Sequence, residues 1–176
     1  MYRPADENDW KLVSRYFSPD STVDKWGDPY AISAEHLHRL FDFRRYLGVP
    51  IYVTAGVKTT GHSKASFHYS KTFDGNEVGK CATDLVIPDF AGNCVDLVMA
   101  AERFGFGGIG YYPHWRFSGV AVGGVHVDSR PYTWDLDGTV NHRQARWMGV
   151  PRNGKQVYLP LTYVNLKKYG EEYGVY

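Results

Sequence analysis

The chain has 176 residues and a formal net charge of +1, with 20 basic against 19 acidic side chains. That length suits one domain with a real hydrophobic core. The charge balance excludes the broad basic face of a nucleic-acid binder and the polybasic segment of a membrane-surface protein.

Aromatic content is the unusual feature, with 14 Tyr and 5 Trp. Such side chains fill cores and also line clefts that grip peptides and sugars. The stretch from Met1 to Asp9 is polar and acidic, so no secretory leader is expected. No run approaches the roughly 20 apolar residues of a membrane helix. The expectation is a soluble chain made in the cytoplasm. Cys81 and Cys94 are too few for a disulfide framework and are expected as buried free thiols.

Turn-forming residues around Ser18-Pro19-Asp20 and Trp26-Gly27-Asp28-Pro29 predict ordered loop after the polar N-terminus. A helix is expected next. Ser33 is its N-cap, Leu37, Leu40, Phe41 and Tyr46 recur at helical spacing, and Gly48-Val49-Pro50 stops it. Ile51 to Thr54 is β-branched and reads as a strand. From Gly56 to Gly79 the chain is polar and aperiodic, a loop of the kind that carries chemistry on a rigid scaffold. Ala82 to Ile87 is expected as a strand and Cys94 to Phe104 as a second helix, with Leu97, Val98 and Ala101 on its apolar side. Gly105, Gly107, Gly108 and Gly110 break regular structure, Val120 to Val127 forms a strand, and Tyr158 to Tyr163 is a candidate for another. Residues 1–176 hold no repeat or linker, so a single α+β domain is expected, with a small, mostly antiparallel sheet and helices on one face.

Asp84 lies inside an apolar strand, where an isolated carboxylate is too costly and must be paired, hydrogen-bonded or metal-bound. His126 and Asp128 sit on one face of another strand, since strand side chains alternate. By the same alternation Cys81 points away from Asp84 and is a poor metal ligand. His68 follows in the polar loop as Ser66-Phe67-His68. Two imidazoles and one carboxylate, with a fourth position open to water, make a catalytic zinc set. Spacing alone favours a plainer alternative, a hydrogen-bonded core histidine and a carboxylate in a buried ion pair.

Thr54-Ala55-Gly56-Val57-Lys58, Ser66-Phe67-His68, Ala82-Thr83-Asp84, Gly108-Ile109-Gly110-Tyr111-Tyr112-Pro113 and His126-Val127-Asp128-Ser129-Arg130 stand in an order that resembles the zinc D-Ala-D-Ala carboxypeptidase superfamily. That superfamily holds the vancomycin-resistance D,D-dipeptidases, bacteriophage L-alanyl-D-glutamate endolysins and the hedgehog signalling domain. The chain is most similar to its small phage and prophage branch, over residues 16–130, with 131–176 an extension of the same domain.

The resemblance implies a hedgehog-like fold, one Zn²⁺ per chain held by His68, Asp84 and His126, and hydrolysis of amide bonds in D-amino-acid-containing peptidoglycan stem peptides. It implies no nucleic-acid or membrane partner, a monomer, and action on the cell wall. Ser66 would contact substrate, and Tyr111, Tyr112 and Trp115 would wall the cleft or pack in the core.

Three departures stand out. Residues Tyr69 to Lys80 form an insert longer than the family's. Lys58 replaces an Arg that steadies the substrate, keeping charge but losing the bidentate fork. Gly123 stands where many members carry a general-base Glu. Asp128 is the first substitute, with an equal alternative role of fixing a ligand histidine's tautomer. His114 is the second substitute, against a histidine with no role. Two other functions remain: a metal-bearing wall-binding or virion module without catalysis, and a dipeptidase for free D-Ala-D-Ala.

Overall fold

The computed structural model describes residues 3–59, 66–68, 81–130, 133–134, 140–141 and 145–176. Helix α1 (Glu7–Val13) opens on a capping box in which Asp6 accepts from Asp9 N and the Asp9 carboxylate accepts from Asp6 N. A 3-10 turn (Pro29–Ala31) leads to α2 (Ala34–Leu47). The Ser33 hydroxyl caps α2, and Gly48 ends it at φ 73°, a left-handed conformation that favours glycine. Then follow β1 (Tyr52–Ala55), β2 (Ala82–Val86) and α3 (Cys94–Arg103), the helix capped by Asn93. The remaining elements are β3 (Gly108–Tyr111), β4 (Arg116–Phe117), β5 (Val120–Ala121), β6 (Val125–Asp128), β7 (Thr133–Trp134), β8 (Val140–Asn141), β9 (Ala145–Arg152), β10 (Lys155–Pro160) and α4 (Tyr163–Tyr173).

Six strands form one sheet in the order β1-β2-β6-β3-β9-β10. Every neighbour pair is antiparallel except β3 and β9, which run parallel. The strands β4 and β5, and likewise β7 and β8, form separate two-stranded ribbons. The chain is therefore α+β with a mostly antiparallel sheet, as composition and pattern predict.

Strand alternation divides the sheet into two chemically different faces. Leu85, Val125, Val127, Ile109 and Met148 are fully buried in the apolar core with Leu37, Leu40, Phe43 and Phe106. On that side α2 reaches the sheet directly, where His36 Nε2 and Thr83 Oγ1 lie 3.2 Å apart. Burial lowers the His36 pKa to about 3, so this imidazole is neutral. Cys81 and Cys94 are buried free thiols, and burial pushes Cys81 up to about 12. The opposite face carries Asp84, His126 and Trp147.

Several expectations change in detail. The N-terminal segment, to which no element was assigned, holds α1, because the Asp6 capping signal starts it and Trp10 and Val13 are buried. The run expected as one strand over 120–127 is divided, with β5 and β6 separated by Val122 to Gly124. The glycine-rich break ends sooner than expected, since Gly108 and Gly110 are themselves in β3. The last expected strand sits earlier, as β10, and α4 begins at Tyr163. The insert at Tyr69 to Lys80 lies outside the described residues. Among the described residues no helix is long and apolar enough to cross a membrane.

Asp9 ties the N-terminal segment to α1. Arg3 donates to both its oxygens, at 2.6 and 2.7 Å. These hydrogen bonds overcome burial and hold the Asp9 pKa at about 2, below the ordinary 3.8. A depressed carboxylate stabilises the fold above the unfolded-state pKa and loses that contribution as pH falls through the folded-state value. Asp9→Asn should therefore cost about 1 kcal/mol near neutral pH. In urea titrations the gap to wild type should shrink as pH is lowered from about 4 toward 2.

Candidate metal centre

Asp84 is the middle residue of β2, and the strand register sets what lies beside it. Asp84 pairs with His126 on β6, His126 with Gly110 on β3, and Gly110 with Trp147 on β9. One transverse row of the sheet thus reads Asp84, His126, Gly110, Trp147. The third segment of the cluster, which carries His68, comes from outside the sheet. Lys58 N donates to His68 O at 2.7 Å, and His68 N donates to Ser66 Oγ at 3.2 Å. The strand extension 56–58 is fixed in turn by the loop before α2: Gly27 bridges Val57, and Asp28 N donates to Val57 O at 2.7 Å.

The three expected ligands meet. One ligand atom from each of His68, Asp84 and His126 lies within 4.8 Å of the others. Asp84 Oδ1 is 3.2 Å from His68 Nε2 and 2.8 Å from His126 Nδ1. The far nitrogen of each ring is also assigned by its partner. His68 Nδ1 lies 2.9 Å from the carbonyl of Gly56. A carbonyl only accepts, so Nδ1 carries a proton and Nε2 is the nitrogen left to face Asp84. His126 Nε2 lies 3.2 Å from Asp128 Oδ2, an arrangement that leaves Nδ1 as the ligand nitrogen.

The electrostatics agree with a cation site. Burial alone would raise the Asp84 pKa, but hydrogen bonds from His126 and His68 win and hold it at about 2. For His126 burial disfavours the charged ring, yet Asp128 and Asp84 outweigh it and raise the pKa. A nitrogen, nitrogen and oxygen donor set with oriented imidazoles fits a borderline-soft divalent ion such as Zn²⁺. Among the described residues this is a possible site for such an ion, formed by His68, Asp84 and His126.

These residues open on a cleft of about 500 Å³, lined also by Ser66, Phe67, Tyr112, Arg130, Trp147 and Tyr158. Ser66 is where the sequence places it. Tyr112 forms a wall, accepting from Trp147 Nε1 at 2.9 Å and stacking on Trp115 at 4.2 Å between centroids and 4° between planes.

Other expected residues lie elsewhere. Tyr111 is 1% exposed and points to the helix side, where it lines a separate cavity of about 380 Å³ with Cys94 and Val122. Alternation requires this, because Gly110 and Tyr112 occupy the site face. Trp115 backs Tyr112 rather than lining the cleft. His114 sits beside Tyr112 and Tyr173, outside the cleft lining, and burial lowers its pKa. Lys58 is exposed and outside the lining, so it contributes its backbone N–H to the His68 loop.

Asp128 makes the contact that the second of its two expected roles calls for, beside His126 Nε2. It is fully buried and absent from the cleft wall. Besides His126 it accepts from Arg130 Nε at 2.8 and 3.0 Å, from Arg130 Nη2 at 2.5 Å, and from Arg130 N at 3.0 Å. Burial opposes its charge, but the His126 and Arg130 hydrogen bonds hold its carboxyl well below the usual range. A carboxylate so engaged orients His126 and is a poor proton acceptor for substrate.

Sequence reasoning did not name Phe67 or Arg130 as cleft residues, and it read the segments of Trp147 and Tyr158 as ones that complete the sheet or cover the cleft. Arg130 had a signal, since positions 126, 128 and 130 share a face by alternation. The place of Trp147 beside His126 had none, because only the parallel β3–β9 pairing brings it there, at 5.1 Å between ring centroids.

The glycines of Gly108-Ile109-Gly110 have a steric reason. A Cβ on Gly108 would lie 2.1 Å from Asp128 Oδ2, and one on Gly110 would lie 2.4 Å from the Trp147 indole. Gly108→Ala should displace the carboxylate that orients His126. Metal affinity is expected to fall ~10–100-fold, measured by competition with a chromophoric chelator, while the far-ultraviolet circular dichroism stays that of the wild type.

Comparison with protein-family models, with curated proteins and with solved structures finds no match to this chain.

Proposed function

We propose that this chain is a zinc-dependent peptidase of the D-Ala-D-Ala carboxypeptidase-like superfamily, acting on amide bonds of peptidoglycan stem peptides. The observation that carries the proposal is the convergence of His68, Asp84 and His126 within 4.8 Å at the floor of an open cleft. The ordered sequence motifs support the family and the D-amino-acid substrate class. A divalent ion held there would polarise a carbonyl and bring the pKa of water to about 7, the two needs of amide hydrolysis.

The chain's own residues divide the remaining work. His68 and His126 would hold the ion through Nε2 and Nδ1, and Asp84 through Oδ1. The Gly56 carbonyl and Asp128 keep each ring in the tautomer that binding requires. Tyr112, Trp147 and Tyr158 give the cleft aromatic walls against which a short peptide packs, and the Ser66 hydroxyl offers a hydrogen bond beside His68. Action on the cell wall as a monomer, in a phage or prophage setting, belongs to the same proposal.

A second reading has its own observation in support. Asp84 is the only carboxylate lining the cleft among the described residues, and Gly123 stands at the family's general-base position. A metal-bearing module that docks on the wall without cutting it fits that lining.

One pair of measurements separates the readings. The purified chain should carry about one zinc per molecule, and murein incubated with it should release new amino termini, both lost in His68→Ala. Zinc retained with wall binding but no cleavage would leave the docking module standing and end the peptidase proposal. Zinc added to the stripped chain should also raise the melting temperature, because a ligand that binds only the folded state stabilises it by about 2.7 kcal/mol at a hundred times its Kd. His68→Ala should show no such shift.

A further inference from the structure

Arg130 is the only lysine or arginine lining the metal cleft among the described residues, and its guanidinium is held on three sides. A guanidinium has two edges able to grip a carboxylate with paired N–H groups, a side edge of Nε and Nη2 and an end edge of Nη1 and Nη2. Asp128 takes the side edge, accepting from Nε at 2.8 and 3.0 Å and from Nη2 at 2.5 Å. The plane lies over the Phe67 ring, 4.1 Å from its centroid, and 5.3 Å from that of Trp147. Packing and pairing therefore fix its orientation, which lowers the ordering cost of binding a second anion. The end edge meets no acceptor among the described residues.

We propose that Arg130 is the specificity-determining residue of this cleft, receiving a substrate carboxylate on its free guanidinium edge. The cleft would then select peptides with a free carboxylate close to the amide presented to His68, Asp84 and His126. The charges favour an anion, because a divalent ion together with Arg130 outweighs the Asp84 and Asp128 carboxylates. Lys58, the cation expected from sequence, is exposed and outside the cleft lining, so Arg130 is the group positioned for this contact. The inference rests on the peptidase reading for the nature of the ligand, while its geometry belongs to Arg130 alone.

The test uses the zinc-loaded full chain and three synthetic peptides. One is a stem pentapeptide ending in D-Ala-D-Ala, and the others carry an amide at the glutamyl or the terminal carboxylate. Calorimetry gives affinity, and product analysis gives cleavage. One amidation should weaken binding at least ~10-fold, the scale of a hydrogen-bonded charge pair. Arg130→Leu should lose discrimination between acid and amide, and Arg130→Lys should regain only part of it, because charge returns without the fork. Zinc content is measured alongside. If Arg130→Leu weakens all three peptides equally and sheds zinc, Arg130 merely supports Asp128 and the inference is overturned. It is also overturned if the wild-type chain binds all three peptides alike, or binds none. Cleavage of all three peptides without discrimination would leave the peptidase standing and remove the role of Arg130. Discrimination that depends on Arg130, without any cleavage, would do the reverse.

Discussion

A single carboxylate in the middle of a buried strand organises this molecule. The other residues of β2, Ala82, Thr83, Leu85 and Val86, are all buried, and a lone charge among them would be too costly to keep. Two imidazoles meet its Oδ1, His126 from the adjacent strand and His68 from the loop that extends β1. The pKa of about 2 records the outcome, since the hydrogen bonds outweigh the cost of burial. Such a carboxylate, with two imidazole nitrogens facing one of its oxygens, is a possible cation site.

Around that contact lies a layer that determines how the rings stand. The Gly56 carbonyl orients His68, and Asp128 orients His126. Asp128 is held in turn by Arg130, which links the back of one ligand to the rim of the cleft. The glycines of β3 make this arrangement possible. Their missing side chains leave the space that Asp128 and the Trp147 indole occupy, so a sequence feature that suggests a break in structure is a packing requirement within a strand.

The helix side explains why the site face can afford such polarity. Leu85, Ile109, Val125, Val127, Met148 and Val150 point away from Asp84 and build one core with α2 and α3. Even the polar contact there, His36 with Thr83, is buried and neutral. The sheet therefore separates a dry face that stabilises the fold from a face on which charges concentrate, and alternation along each strand enforces the division residue by residue.

How much of this was legible in the sequence depended on the range of the signal. Local patterns were enough for α2 and its caps, for β2, for α3 and for the pairing of His126 with Asp128 on one face, because capping and alternation act within a few residues. The convergence of His68, Asp84 and His126 was expected from the ordered motifs, whereas spacing alone favoured an ordinary ion pair. Tyr111 went to the core rather than the cleft by the same alternation rule, applied one residue along. The neighbours of the site were decided by tertiary structure. Trp147 reaches His126 only because β9 pairs in parallel with β3, and Arg130 rather than Lys58 faces the cleft because the Gly27–Val57 bridge directs the Lys58 backbone, not its side chain, toward His68. Chain-local rules determine which residues share a face. Which faces and strands then meet depends on long-range pairing, whose free energy is spread over the whole sheet and leaves no mark at any one position.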